Sequence, residues 1–404
     1  MKNQRKCIGL AGFGVVGRHV YEQLTTVHRK QFYVKAVAIK HPDRHPETDI
    51  PFTTSLDSLI WDSEIEVIVE VIGGIQPAYD FIRQALLHKK SVVTANKYLI
   101  AYHGNELRKL AAEQGVQLLY EASVGGSIPI LSALNCSLRH HQIRSVTGIL
   151  NGSTNFILTA LSSQPNRSVD DILQEARDKG FLEADPSFDL KGWDIQQKLT
   201  IIAWHAFGCR LVPGEIPVLS LMGFSDPDRF LTRYGRIKYL ATICREGDTL
   251  SSLVIPTLIE DTHPFIRVQD EFNAILVDTE YSGGQLLVGK GAGGHPTACS
   301  VLADLIAIDH RLPDVDESVD WTIRHAQPLG QVYLRVASGK EKQVISRLKK
   351  EQVVFRPIGN DQYVVRSISL SVLMSLQTDL ALAVKLPSQL FIESHLTQRL
   401  ALAV

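Results

Sequence analysis

An α/β fold built around a parallel sheet is what the first third of this chain predicts, on three observations. Apolar runs of strand length alternate with stretches of helical period. A glycine-rich turn joins the first run to the first helix, and polar and turn-forming residues gather at the ends of successive runs. Alternation of this kind gives a parallel sheet covered on both faces, with ligands bound beyond the carboxyl ends of its strands.

Residues 5–11, RKCIGLA, read as a short buried strand, and Gly12, Phe13, Gly14, Val15, Val16 and Gly17 lead directly into the helical pattern VGRHVYEQL. This is GxGxxG in strand-turn-helix context, the Rossmann-type arrangement in which glycines let a pyrophosphate approach the helix N-terminus and its dipole. Alone the motif is weak. The next strand, FYVKAVAI, ends at Ile39, where an acidic side chain would favour NAD. Lys40 and His41 stand there instead and suit the 2'-phosphate of NADP, while nearby Asp43 leaves NAD open. EVIVEVIGG, PAYDFIRQALLHKK, SVVTANK, HGNELRKLAAEQG and VQLLYEAS continue the alternation. Gly73, Gly74, Thr94, Asn96, Lys97, Glu121 and Ser123 fall at the strand ends. Each alone reads as a turn or cap; together they mark one edge of the sheet as a site.

With 45% hydrophobic and 21% charged residues, the 404-residue chain has the composition of an ordinary globular protein of two or three domains. A formal net charge of -1 offers no footprint for nucleic acid or an anionic membrane, and no apolar run reaches the ~18 residues that span a bilayer. Glycines in MKNQRKCIGLAGFGVVG argue against a secretory signal. Five scattered cysteines without CxxC spacing argue against a disulfide framework or a zinc site, so a cytoplasmic location is expected.

From about residue 124 the character changes. VGGSIPILSALNCSL leads through a helix into SVTGILNGSTNFILTAL, where Asn151 to Asn155 read as a polar turn and helix cap or as part of a site. Residues 232–290 read as a helix around Ile237 to Cys244, then strand-like runs LSSLVIPTLI, NAILVDTEYS and QLLVGKGAGG. A second glycine turn, containing Gly293, either lies against a cofactor or reverses the chain. Beyond Pro328 the order strand, helix, strand, strand, helix, strand is ferredoxin-like, that of small regulatory amino-acid-binding modules or of a plain packing or oligomerisation unit.

The densest chemistry lies in residues 176–198, ARDKGFLEADPSFDLKGWDIQQK, which holds Glu183, Asp185, Asp189, Asp194 and Lys198. Charge-rich segments are usually solvated faces. Here Gly180, Pro186 and Gly192 fix turns, and the segment enters the apolar helical pattern IQQKLTIIAWHAFG, on which Asp194 and Lys198 share one face. Asp185, beside Pro186, reads as a turn residue. A lysine at the start of a buried helix needs a reason to be there.

Six segments stand in the order known from homoserine dehydrogenases: GxGxxG at 12–17, VVTANK at 92–97, EASVGGSIP at 121–129, GILNGSTNFIL at 148–158, the charged block, and GAGGHPTA at 291–298. The chain resembles that family from about residue 7 to residue 310. Its charged-block signature is matched at Gly180, Glu183, Asp185, Pro186, Asp189, Gly192, Asp194 and Lys198, with departures at Leu182, usually a small residue, and Lys290, commonly a proline.

The resemblance implies a Rossmann dinucleotide-binding domain at 1–130, completed by 300–325, an α+β substrate-binding and dimerisation domain at 131–299, and an ACT-like C-terminal domain at 331–404. It also implies NAD(P)H-dependent reversible reduction of L-aspartate 4-semialdehyde to L-homoserine, in threonine, methionine and isoleucine biosynthesis, by a homodimer or homotetramer. Lys198 would be the proton donor, Asp194 its orienting partner, and Lys97 a second cation that polarises the carbonyl or tunes Lys198. Glu183 and Asp189 would bind the substrate by its ammonium or brace the lysines. Gly12 to Gly17, Lys40, Gly73, Gly74, Thr94, Lys97, Gly180, Glu183 and Gly293 would line the cofactor, and a sodium ion would sit by Glu121 and the carbonyls of Val124, Gly126 and Ile128. The tail's first loop, Ala337 to Lys340, lacks the turn that often contacts an effector. Two other readings are a Rossmann dehydrogenase acting on another amino acid such as aspartate, and a catalytically silent regulatory homologue. The presence of Lys97, Asp194 and Lys198 counts against the second.

Overall fold

The computed structural model describes residues 5–44, 50–183, 185–310, 315, 317, 319–324, 328–388 and 390, so the end of the expected tail domain, 391–404, lies outside the described residues. The chain opens with β1 (Lys6–Ala11), α1 (Val15–Thr25), β2 (Phe32–Ala38), β3 (Phe52–Thr53), α2 (Leu56–Trp61), β4 (Val67–Glu70), α3 (Ala78–Leu87), β5 (Ser91–Thr94), α4 (Lys97–Gln114), β6 (Leu118–Leu119) and α5 (Ile130–Asn135). It continues through β7 (Ile143–Ile149), α6 (Gly152–Ser163), α7 (Val169–Asp178), α8 (Ser187–Leu190), α9 (Trp193–Phe207), β8 (Arg236–Glu246), β9 (Thr249–Ile259), β10 (Phe272–Thr279), β11 (Gly283–Lys290) and α10 (Gly294–Ala307). The last elements are β12 (Thr322–Ile323), β13 (Val332–Val336), α11 (Glu341–Lys350), β14 (Phe355–Pro357), β15 (Gln362–Val365), α12 (Leu370–Ser375) and β16 (Leu380–Lys385).

Two compact units form. The first gathers Met1–Gln142, Gln197–Pro213 and Leu287–Ser318. Its six strands run in the order β3-β2-β1-β4-β5-β6, all parallel. The strand order reverses between β1 and β4, and such a switch point is where open α/β sheets bind ligands. Ile8, Leu10, Val37, Val69 and Val93 of the strands share one core with Val20 and Leu24 of α1 and with Val301, Leu302 and Leu305 of α10. The strands read as unbroken apolar runs because helices cover both faces. The turn after β1 needs glycine for two separate reasons. Gly12 has φ +104°, and a side chain there would also stand 2.7 Å from the Val71 carbonyl oxygen.

The second unit gathers Ile143–Gln196, Gly214–Leu286 and Val319–Val404 around a ten-stranded sheet in the order β11-β10-β7-β8-β9-β16-β13-β15-β14, with β12 beside β9. Residues 237–244, expected as a helix, instead form the middle of β8, which pairs antiparallel with β7 on one side and along its whole length with β9 on the other. Five consecutive residues, Ile237 to Ala241, are buried, so the segment shows no alternation to mark it as a strand. The tail does carry the expected order of elements, with β16-β13-β15-β14 antiparallel throughout. Its strands continue the unit's sheet, β16 lying parallel to β9 at Lys385 and Thr257, and Leu253 and Ile255 of β9 share a core with Val332, Leu334 and Leu373.

A polar hub ties this unit together. The fully buried Asp228 carboxylate accepts the Tyr333 hydroxyl at 2.7 Å and Arg335 Nε at 2.9 Å, both from β13, and the Ser225 backbone N–H at 2.9 Å.

Candidate active site

The first unit holds a cleft of about 490 Å³ lined by Gly12, Phe13, Gly14, Lys40, His41, Thr54 and Ile72 among others. Gly14 is the N-cap of α1 and supplies no side-chain hydrogen bond, so the first N–H groups of an 11-residue helix are left to an incoming acceptor. Val15 is 69% exposed at the mouth of that turn, Gly17 is buried, and Phe13 meets Tyr21 and Phe52 edge-on. Gly293, φ +110°, caps α10 equally bare, and Gly294 beside it packs against Val15 and His19. The second glycine turn therefore lies against the first.

At the next strand end, sequence reasoning missed the organising residue. Glu70 is fully buried at the end of β4; its carboxylate accepts the Thr94 hydroxyl at 2.5 Å and the backbone N–H groups of Ile72 at 2.7 Å and Gly73 at 3.1 Å. Burial pushes this carboxyl upward against those hydrogen bonds. Asn96 donates from its own N–H to Thr94 Oγ1 and from Nδ2 to the Gly74 carbonyl, and its Oδ1 caps Leu99 N. The network pins Gly73 and Gly74, both left-handed, to the start of α4, whose first residue is the half-buried Lys97. A cation at a helix N-terminus opposes the helix dipole at ~0.3–1 kcal/mol, so the dipole is not what places Lys97 there.

Glu121 is 3% exposed, and its carboxylate accepts the backbone N–H groups of Leu131 at 2.8 Å and Ser132 at 2.7 Å together with the Ser132 hydroxyl. Its own N–H donates to Asp304 Oδ2 at 2.8 Å, and burial together with the Glu121 charge raises Asp304 well above the usual carboxylate range. Val124 is buried, the Gly126 carbonyl accepts the Ser300 hydroxyl at 2.6 Å, and the Ile128 carbonyl accepts the Ile130 N–H at 2.8 Å. Among the described residues no three His, Cys, Asp or Glu side chains gather as for a metal. The departure at Lys290 is accommodated because Ser127 N–H, at 3.0 Å, uses only the main-chain carbonyl of residue 290, which a proline supplies equally.

Behind Glu121 lies a cavity of about 110 Å³ bordered by Arg108, Tyr120, Asn135 and His205. His205 Nδ1 lies 2.8 Å from Asn135 Oδ1 and therefore carries the proton, leaving Nε2 to accept the Tyr120 hydroxyl at 3.0 Å. Burial, and then the Arg108 charge, push the His205 pKa down to about 3. Below its unfolded value of 6.5 the unfolded chain takes up a proton that the folded chain refuses until about pH 3. Stability from this residue therefore falls as pH drops through that window, by up to ~1.4 kcal/mol per unit. Urea titrations between pH 3 and 6.5 are expected to show a shallower loss in His205→Gln; an unchanged slope would refute the neutral assignment.

The charged block belongs mainly to the second unit. Gly180, φ +73°, follows the end of α7; Glu183 is exposed; Leu182 is buried and its N–H bonds the Ala176 carbonyl, which accounts for a bulky residue at that departure. Asp185 bonds the Ser187 N–H at 3.0 Å, the expected turn role. Asp189, on α8, and Asp194, in the first turn of α9 and 3% exposed, are brought together by Asn151, which sequence reasoning left between cap and site. Asn151 Nδ2 donates to Asp189 Oδ1 at 2.7 Å and to Asp194 Oδ2 at 2.9 Å. One helical turn after Asp194 stands Lys198, 8% exposed. Glu183 is not part of that hydrogen-bonded set.

A family model described as "Homoserine dehydrogenase" matches residues 129–306, and one described as "Homoserine dehydrogenase, NAD binding domain" matches residues 12–121. The homoserine dehydrogenase of Bacillus subtilis is 37% identical over 313 residues, 74% of this chain and 72% of its own. A solved homoserine dehydrogenase from Thiobacillus denitrificans superposes with a TM-score of 0.82 at 29% identity, covering 95% of this chain and 98% of that one. A hyperthermophilic archaeal homoserine dehydrogenase in complex with NADPH aligns with a TM-score of 0.67 at 25% identity, covering 78% and 100%. With both family models matched in order, on a fold shared with solved members, the chain belongs to the homoserine dehydrogenase family.

Proposed function

We propose the following division of labour for the family's reaction, the reversible NAD(P)H-dependent reduction of L-aspartate 4-semialdehyde to L-homoserine. The cofactor supplies the hydride that converts the aldehyde carbon to an alcohol. Lys198 Nζ gives its proton to the aldehyde oxygen and takes one back from solvent; in the oxidative direction it is the base. Asp194, one turn earlier, orients the Lys198 ammonium. Lys97 polarises the carbonyl, and Glu183 and Asp189 accept from the substrate's ammonium. The observation that carries this reading is a lysine buried on an apolar helix one turn beyond a buried, hydrogen-bonded carboxylate.

The cofactor fits the first unit's cleft, where Gly12 to Gly17 and the uncapped α1 would hold the pyrophosphate, with Gly73, Gly74, Thr94, Lys97 and Gly293 on adjoining strand ends and turns. Gly180 and Glu183 complete the set that the family resemblance assigns to it. Lys40 lines the cleft and selects NADP by facing the 2'-phosphate. The sodium site is supported by acceptor capacity. Glu121 has three donors on four lone-pair positions, and each hydrogen-bonded carbonyl keeps a lone pair. We assign the chain to the cytoplasm on its scattered cysteines without CxxC spacing, and as a homodimer or homotetramer, the latter supported by β11, whose Leu286 and Val288 are exposed on an edge strand. The tail is assigned as ACT-like on its βαββαβ order.

NADPH and NADH oxidation with aspartate semialdehyde tests the scheme. Lys40→Ala is expected to raise KM for NADPH roughly ten- to a hundredfold, the size of a lost charge-assisted hydrogen bond, and to leave NADH unaffected. Equal effects on both cofactors would remove Lys40 from the selection. Replacing sodium by choline should depress turnover; an unchanged rate would remove the cation, and no turnover with either cofactor would favour a silent homologue.

A further inference from the structure

We infer that Asn151 is a positioning residue for the reaction: its single amide nitrogen fixes the spacing and orientation of Asp189, proposed to receive the substrate's ammonium, and of Asp194, proposed to orient Lys198. The inference rests on the roles proposed above for those two carboxylates.

The amide has only one way to sit. Asn151 Oδ1 accepts the Thr154 N–H at 2.8 Å as the N-cap of α6, which leaves Nδ2 on the other side with two hydrogens. Those two hydrogens go one each to Asp189 at 2.7 Å and Asp194 at 2.9 Å, so two carboxylates from different helices are held two hydrogen bonds apart. Asn151 and Asp194 are nearly sealed from solvent, at 5% and 3% exposure. A neutral double donor holds both without adding a charge of its own, whereas an arginine or lysine in its place would compete with the ligand for Asp189 and with Lys198 for Asp194. The ligand group proposed to meet Asp189 is a primary ammonium, as carried by an α-amino acid. Local structure explains the placement: Gly152 and the cap tie residue 151 to the first turn of α6, directly after β7, so the amide is carried by a sheet strand and a helix rather than by a loop.

Capping and bridging use different atoms of the same side chain, so substitution can separate them. Serine and aspartate cap helices about as well as asparagine. Asn151→Ser keeps the cap but has one hydroxyl hydrogen for two carboxylates; Asn151→Asp keeps the cap and shape but has no donor when ionised. Asn151→Ser is expected to melt close to wild type, to raise KM for homoserine roughly ten- to a hundredfold, the size of a lost hydrogen bond to a charge, and to leave KM for the cofactor unchanged. Asn151→Asp should lose more. Combined with Asp194→Asn, Asn151→Ser should cost much less than the product of the two separate losses, because the residues act together.

Wild-type homoserine kinetics in both capping-competent variants, or fully multiplicative losses in the pair, would overturn the inference and leave Asn151 as a cap. Asp194→Asn measured in parallel separates the two levels. If it is inactive while the Asn151 variants are normal, only the positioning role falls. If it too is normal, the assignment of the carboxylates falls and takes the positioning role with it.

Discussion

Replacing Lys198 with alanine is expected to lower kcat about a hundredfold or more while cofactor affinity survives, the usual size of a general acid's contribution. The expectation follows from position. Lys198 is 8% exposed on a helix whose neighbouring positions Ile195, Leu199, Ile201 and Ile202 are buried apolar residues, so its ammonium is held out of water by fold rather than by accident. Removing it deletes the proton source for an oxygen that would otherwise leave the hydride step as an alkoxide. Alanine is a better helix former than lysine, so α9 persists and the loss is chemical rather than structural. Single-turnover kinetics with a deuterated cofactor would show hydride transfer becoming rate-limiting, and cofactor titration by fluorescence would show an unchanged Kd. Turnover near wild type would remove Lys198 from the mechanism. A rate loss matched by equal loss of cofactor binding would make it a structural residue of the first unit.

The largest effect on stability is expected at Asp228. Asp228→Ala leaves the Arg335 guanidinium, 15% exposed, and the Tyr333 hydroxyl facing an empty buried position. Breaking one side of a buried ion pair typically costs ~3–5 kcal/mol because the remaining charge stays desolvated. Tyr333→Phe, which removes one neutral donor and no charge, is expected to cost ~1–2 kcal/mol. The urea transition of the second unit, followed by Trp193 and Trp321 fluorescence, measures both. Equal shifts for the two variants would mean that the charge pair contributes nothing beyond the hydroxyl bond.

Much of the first unit is legible in the chain because parallel strands and glycine turns leave strong local marks, and Gly12, Gly14 and Gly293 sit where those marks indicate. The charged block is legible too, since Asp194 and Lys198 advertise a shared helix face by spacing alone. What stays hidden is long-range or doubly used. β8 carries no alternation because it is buried on both sides. Glu70 looks like any strand-end carboxylate until Thr94, 24 residues on, delivers its hydroxyl. His205 reads as a polar accident in an apolar helix, and only Tyr120 and Asn135, brought from elsewhere, give it two partners. Asn151 defeats local reading for another reason: its cap is visible in the sequence, whereas its bridge depends on carboxylates 38 and 43 residues away.

The core of the first unit includes α10, whose Val301, Leu302 and Leu305 lie against strands made near the start of the chain. During synthesis those strands emerge long before their cover. At ~5–20 residues per second, roughly ten to thirty seconds pass between the end of the unit's first segment and the arrival of this helix. Over that interval the apolar positions that meet Val301, Leu302, Leu305 and Ile308 lack this cover, so the first unit closes its core only once residue 308 is made.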